Sequence, residues 1–480
     1  MGKKTIIRNL PDLNKARVRN AQVNFEYDDI VPSSFLLEKL SGKNYFIRTY
    51  GCQANVRDEE TMSGMLDLVG MNKVYDPKEA DVIIVNTCAV RENAEDKVFG
   101  EIGNLKALKQ KRNPLIMVCG CMVLQNHIVD KLLSIYKQVD VIFGTHNINA
   151  LLDLIEEALM KNVHLVDVPS SSGDVHEIKP AKRLESFKAY INIMYGCNKF
   201  CTYCIVPYTR GMERSRKKED ILAEAQCLID QGYKEITLLG QNVNSYGKDL
   251  YEDYTFANLL EDVAKLNIPR LRFTTSHPYD FSDAMIDTIA KYDNIMKFIH
   301  LPVQSGNDKI LRLMNRRYNR QQYLDLVNRM KERIPNLALS TDIIVGFPNE
   351  TYEEFKDTVT LVQEVGYDSA FTFIYSPRNG TPAAKMKDDV EYKEKNIRFR
   401  ELTKALEVII QEKSEKMVGQ VFDVLVDSVS KKNKSVLSGY NENNKLINFK
   451  GDASLIGKIV KVKIIESHTY SLIGEIVENA

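Results

Sequence analysis

From residue 44 to about residue 417, short apolar runs alternate with stretches of helical period, which restricts the chain to a parallel α/β architecture. In the first block the runs are 45–50, 82–86, 115–119 and 141–143, separated by helical stretches such as 58–69 and 94–109. Residues 147–165 read as a helix and a closing strand, and 168–185, rich in Ser, Pro and Lys, as a linker. The second block holds six strand candidates, 189–194, 235–239, 270–275, 298–301, 337–345 and 370–375. Helical patterns separate them at 217–231, 256–266, 283–290, 309–333 and 352–365. Six β/α units are two short of a closed eightfold barrel, so a partial (β/α)6 TIM-like barrel, open along one side, is expected. A charged helix, 385–416, leads out of it, and 418–480 fits about five short strands of a small OB-like barrel. The expected plan is an N-terminal extension at 1–43, an α/β domain at 44–166, a linker at 167–186, the barrel core at 187–417 and an all-β domain at 418–480.

Charge excludes little and suggests little. Lys and Arg number 65 and so do Asp and Glu, so no global field announces a nucleic-acid partner. The start lacks an apolar leader and no run approaches the ~18 apolar residues of a membrane span, so a soluble, cytoplasmic protein is expected. Eight cysteines without a secretion signal read as reduced thiols and metal ligands. Three of them, Cys197, Cys201 and Cys204, share one loop with C-x3-C-x2-C spacing. A 4Fe–4S cubane takes thiolate ligands, usually four, so three leave one iron open to a small molecule. A zinc site would need a second cysteine or histidine pair, which is missing. Cys52, Cys88 and Cys121 each follow the end of a strand. In a parallel sheet all three thiols emerge at the carboxyl edge, where ligands bind, and could hold a second cubane. Cys119 points the other way along its strand, and with Cys227, on a helix, it reads as structural.

The C-x3-C-x2-C loop is the signature of the radical S-adenosylmethionine (AdoMet) superfamily, which the chain resembles. Gly51-Cys52-Gln53-Ala54-Asn55, Asn86-Thr87-Cys88-Ala89-Val90-Arg91-Glu92 and Gly120-Cys121-Met122 resemble the three cluster motifs of its methylthiotransferase family. That family usually has Met at the place of Ala54, which is not a ligand position. The resemblance covers 44–480 and implies the partial barrel, two 4Fe–4S clusters, AdoMet as cofactor and a C-terminal TRAM domain that binds RNA. It implies that the cluster at Cys197, Cys201 and Cys204 cleaves AdoMet to a 5′-deoxyadenosyl radical. The cluster at Cys52, Cys88 and Cys121 carries or supplies sulfur, and a second AdoMet methylates it. Such chemistry suits carbon 2 of adenine, an aromatic C–H with no acidic proton; the cofactors carry the difficult step.

The family acts on adenosine beside the tRNA anticodon or on an aspartate of a ribosomal protein. Residues 205–211, 213–216, 238–247 and 441–449 resemble the MiaB-type branch, which modifies isopentenyladenosine. The rivals are a methylthiotransferase for threonylcarbamoyladenosine or for the ribosomal protein, and, more distantly, a non-catalytic RNA-binding iron–sulfur protein. Arg210, Arg214, Arg216 and Lys217, with Lys218, form a basic cluster placed to contact phosphates, and Tyr203 and Tyr208 could stack on a base. At strand ends Gln241, Asn242, Ser305 and Asp342 are the expected AdoMet contacts, with Gln304, Gly346 and His277 beside them. No general base is assigned. The expected partners are a tRNA anticodon stem-loop and a reductant protein of flavodoxin or ferredoxin type, with no membrane, and the chain is expected to be a monomer.

Overall fold

The structure is a computed structural model that describes residues 3–12, 25–89, 92–170, 175–179, 182–430, 433 and 435–477. Val90 and Arg91 of the second cysteine motif lie outside the described residues.

The first domain is a parallel sheet of seven strands. Its centre is Val82–Thr87 and Leu115–Gly120, buried along their whole length and rich in Val, Ile and Met. A parallel sheet must be covered on both faces, and alternation along these strands feeds two cores. Ile84, Met117 and Cys119 pack with Met62, Met65 and Leu66 of helix Gln53–Leu68. Ile83, Val85, Ile116 and Val118 face Val98 and Ile102 of helix Glu92–Arg112 and Val129 of helix Asn126–Ile135.

The described residues of the segment read as an extension are partly strand and helix. Thr5–Asn9 pairs in parallel with His164–Asp167 at one edge of the sheet. Phe25–Asp29 pairs with Val175–Lys179, from the segment read as a linker, and Ser34–Leu40 is a helix. These five-residue strands are too short to show a period, and their partners lie far away in sequence.

The six expected barrel strands are present as two parallel runs of three. Lys188–Asn192, Glu235–Leu239 and Arg270–Thr274 form one, and Phe298–His300, Ala338–Val345 and Ser369–Ile374 the other. A bridge between Leu271 and Ile295 joins them. Lys188–Asn192 and Ser369–Ile374 each have one paired neighbour, so the barrel stays open on that side.

One helix expected at 309–333 is two, Asp308–Leu313 and Arg320–Arg333. Asn315 and Arg317 take left-handed backbone angles (φ 58° and 60°) that end the first. Asn319 then caps the second, with Gln322 completing the box.

The C-terminal strands close a five-stranded barrel around Val424, Val426, Leu437, Ile447, Phe449, Val462, Ile464 and Leu472. It docks on the amino-terminal ends of the larger barrel's strands. Arg270 and Arg272 donate from Nη2 to the Asn441 carbonyl at 2.8 and 2.9 Å, Lys188 pairs with Asp427, and Asn443 Nδ2 donates to Asn336 O at 2.9 Å. Among the described residues no helix is long and apolar enough to cross a membrane.

Candidate active site

The loop carrying Cys197, Cys201 and Cys204 leaves the short strand Met194–Tyr195 through Gly196. Gly196 has φ +77°, and a Cβ there would lie 2.1 Å from Met212 O, so only glycine fits. Gly196 N donates to Gln241 Oε1 at 2.5 Å and Cys197 N to Gly211 O at 3.1 Å. The helix break described above holds the loop from the other side. Asn315 Nδ2 reaches Lys199 O and Phe200 O at 3.2 and 3.1 Å, and Thr202 bonds Met314 O and Leu313 O. Arg316 Nη1 donates to Cys201 Sγ at 3.4 Å. Burial pushes the Cys197 thiol up, and burial with the neighbouring Cys201 pushes Cys204 up to about 12. Cys197 and Cys204, whose thiols resist ionisation alone, lie with Cys201 on one loop and suit a cationic iron cluster, which stabilises thiolates on binding.

Cys52, Cys88 and Cys121 gather at the carboxyl edge of the sheet, as their strand-end positions require. The Cys52 thiol is lowered to about 6, chiefly by a hydrogen bond with Cys88 and, against burial, by Arg210; Cys121 feels both Cys52 and Arg210. An asparagine pair fixes the loops. Asn55 Nδ2 donates to Thr87 O at 3.2 Å and Asn86 Nδ2 returns a bond to Asn55 O at 2.8 Å. Gly120 has φ +101°, and a Cβ there would lie 2.2 Å from Thr87 O. Cys119 is buried against Met62, Sγ to Sδ 3.9 Å, and Cys227 accepts from Gln231 on an exposed helix face, so neither joins the set. Among the described residues no three His, Cys, Asp or Glu side chains close on a single ion. The thiols of a cubane bind separate irons and need not converge so tightly.

One thiol set packs against the chain segment that follows the other. Ile205 and Tyr208, just after Cys204, share a buried cluster with Ala89 and Cys121. Arg210 donates from Nε to Cys121 Sγ at 3.3 Å and from Nη2 to Asp58 Oδ2 at 2.6 Å. Around them Arg57, Arg183 and Arg216 converge on Glu224, and Arg183 also reaches Glu60.

This arrangement corrects the basic-patch expectation. Arg210, Arg214 and Arg216 are 6%, 6% and 4% exposed, too buried to meet phosphates. Arg210 reaches across to Asp58 and Cys121 of the first domain, while Arg216 is held by Asn192 O and Glu224 of its own. Tyr208 packs in the same interface, and Lys217 lies over the Phe25 and Tyr27 rings at 4.6 and 5.3 Å. A charge run in sequence carries no sign of burial, which is why the three arginines read as a patch; Lys217 and Lys218 stay partly exposed.

Of the expected AdoMet contacts, Gln241 reaches the cysteine loop through Gly196. Asn242 Nδ2 donates to Asp280 at 2.8 Å, and Asp280 is held ionised by Lys199 and Lys248 despite burial. Ser305 is fully buried and spends its hydroxyl on Thr358 and Asn307, so it serves the turn and not the mouth. Asp342, on the barrel's inner face, lies 3.5 Å from His300 Nε2. Four buried atoms of this rim have no hydrogen-bond partner: Glu213 Oε1, Asn242 Oδ1, Ser276 Oγ and His277 Nε2. Unfilled buried acceptors are costly, and two of them suit the ammonium of an amino-acid moiety. The sequence reading missed Glu213, Asp280, Asn315 and Arg316. Their signal lay in nearness to strand ends and in the Asn-Arg-Arg break of the helix.

An open β/α barrel with a C-x3-C-x2-C loop at its carboxyl mouth defines a radical AdoMet protein. The Radical SAM superfamily model matches residues 191–362, the family model described as Uncharacterized protein family UPF0004 matches 44–144, and the TRAM domain model matches 415–477. The chain is 53% identical over 468 residues to the tRNA-2-methylthio-N(6)-dimethylallyladenosine synthase of Staphylococcus haemolyticus, covering 97% of this chain and 91% of that one. It is 51% identical to the synthase of the same name from Bacillus cereus, covering 98% and 92%. The chain belongs to this family of radical AdoMet methylthiotransferases. Among solved structures, the methyltransferase TsrM of Kitasatospora setae, with cobalamin and a 4Fe–4S cluster bound, matches in fold alone. Its TM-score is 0.53 at 12% identity, over 72% of this chain and 74% of that one.

Proposed function

We propose that this protein is a tRNA methylthiotransferase that converts N6-dimethylallyl (isopentenyl) adenosine beside the anticodon to its 2-methylthio derivative. The observation that carries the reading is the buried interface in which Cys121 of one thiol set packs against Ile205, Tyr208 and Arg210, which follow the loop of the other. Cys197, Cys201 and Cys204 hold one 4Fe–4S cluster, and Cys52, Cys88 and Cys121 hold a second. When bound, the first cluster with AdoMet supplies a radical able to take hydrogen from an unactivated C–H bond.

The chain's own residues bind and orient. Asn242 and Glu213 offer unfilled acceptors to the AdoMet ammonium, and Gln241 fixes the backbone that precedes Cys197. Asp342 faces the lumen, where the acceptor base must lie. Ile205 and Tyr208 hold the segment after Cys204 against Ala89 and Cys121 in a buried apolar cluster. The RNA is an anticodon stem-loop whose bases are already unpaired and can be splayed into the mouth at modest cost. A flavodoxin- or ferredoxin-type protein supplies electrons, and the enzyme works as a cytoplasmic monomer.

Reconstituted protein given reductant, AdoMet and tRNA bearing isopentenyladenosine is expected to form the 2-methylthio nucleoside, read by mass spectrometry of the digested tRNA. The Cys52/Cys88/Cys121→Ala protein keeps cleaving AdoMet and makes no thiolated base. The same tRNA with plain adenosine should react a few hundred-fold less well. Burying five carbons contributes roughly 3–4 kcal/mol, at about 0.8 per methylene-sized group. Equal turnover of both tRNAs would overturn the assignment.

A further inference from the structure

Resting on the reading that Cys52, Cys88 and Cys121 hold a 4Fe–4S cluster, we propose that Arg210 is a positioning residue that sets that cluster's charge balance from the neighbouring domain. Arg210 belongs to the barrel polypeptide and follows the radical-cluster loop. Its side chain crosses the interface and divides itself. Nε donates to Cys121 Sγ at 3.3 Å, while Nη1 and Nη2 clamp both oxygens of Asp58 at 3.3 and 2.6 Å. An arginine whose only task was to join two domains would need the carboxylate alone. The planar fork of N–H donors lets one residue hold carboxylate and sulfur together in one fixed geometry.

The consequence is electrostatic. Arg210 is 6% exposed and Asp58 7%, so water screens neither from Cys121. A cluster gains one negative charge on reduction. A buried guanidinium bonded to a ligand sulfur favours the reduced form, and the carboxylate behind it opposes. Hydrogen bonds to cluster sulfurs are established levers on potential. Arg316 makes a comparable bond to Cys201 at 3.4 Å, but its other described bonds go to Tyr318, Tyr203 and Pro302. The charge pair bonded to a cysteine sulfur is thus particular to the N-terminal-domain set.

The test uses the full chain carrying Cys197→Ala, Cys201→Ala and Cys204→Ala, so that only the second cluster remains. Iron content and an EPR-monitored redox titration are read. Arg210→Gln is expected to lower the ratio of reduced to oxidised cluster roughly tenfold at fixed potential, about 59 mV for one electron. Asp58→Asn is expected to move the titration the opposite way. Opposite signs distinguish a charge effect from structural damage, which would move both variants alike. Retained iron with unchanged potentials, or shifts of the same sign, would overturn the proposal. If Arg210→Gln loses its iron, Asp58→Asn decides: an upward shift supports the role, and no shift or a downward one ends it. Absence of iron in the parent triple variant would instead sink the second-cluster reading itself.

Discussion

Asn55 and Asn86 clasp the loop that carries Cys52 to the strand end that carries Cys88. Asn55 Nδ2 also reaches Asn86 Oδ1 at 3.3 Å, so losing the Asn55 amide takes a donor from Asn86 Oδ1 and Thr87 O, while Asn86 keeps its bond to the Asn55 backbone carbonyl. Asn55→Ala is expected to cost about 1–3 kcal/mol, the penalty of unsatisfied buried polar atoms. Reconstituted iron should fall from about eight toward four per chain, because the set loses its geometry while the barrel loop keeps its own. Cys119→Ala, next to the site but buried against Met62, should keep full iron. Iron loss there would contradict the division of the cysteines. At this scale the sequence was informative: C-x3-C-x2-C spacing singled out one thiol set, and strand-end position the other, since chain direction in a parallel sheet fixes where a strand-end residue emerges. It did not find Asn315 or Arg316, which reach the cysteine loop from more than a hundred residues away.

Helix Lys218–Asp230 shows how an element can serve a joint between domains. Its Glu224 receives Arg216 from its own domain, Arg57 from helix Gln53–Leu68 and Arg183 from the connecting segment. Burial alone would raise the Glu224 carboxyl; Arg216, Arg57 and Arg183 outweigh it and hold it down to about 2. A carboxyl depressed in the folded chain contributes stability above its unfolded value, about 4.3, and loses it as pH falls toward its folded value. The interface is therefore expected to weaken between about pH 4.3 and 2. Limited proteolysis of the 168–185 connection should speed up in that window, and Glu224→Gln should show the faster cleavage already at neutral pH. Most elements were legible from periodicity within two or three residues. Among the exceptions are Thr5–Asn9 and Phe25–Asp29, strands that exist only because a distant partner supplies the ladder. The sequence reading missed helix Asn126–Ile135 altogether, and the split at Asn315 is a further exception, where tertiary bonds to the cysteine loop favour a break in a helical pattern.

Across the whole molecule, the thiols and the TRAM barrel sit at opposite ends of the larger barrel. Lys188, Glu235 and Arg270 begin their strands on the TRAM side, while Gly196, Gln241 and Gln304 follow strand ends on the other. Strands of five residues rise about 3.3 Å per residue, so at least ~16 Å separate the two ends. A tRNA held by both must run along the outside of the barrel. Deleting residues 418–480 should weaken tRNA binding and flatten its salt dependence while leaving both thiol sets intact. It should also lower the barrel's melting temperature, because Arg270 and Arg272 lose the Asn441 carbonyl that caps them. Unchanged tRNA affinity would remove RNA binding from that domain, and an unchanged melting temperature would show the docking to be passive.

The sequence by itself determined the α/β alternation, the open barrel, the β-rich tail and the six thiols, because each is written in local period, spacing or chain direction. The tertiary structure decided which charges are buried. Arg210, Arg214 and Arg216 look like a phosphate-binding patch in one dimension and are buried in three, Arg210 against Asp58 and Cys121 of the neighbouring domain. Formal charge belongs to the residue, but its solvation and its partners belong to the fold, and those decide what the charge does.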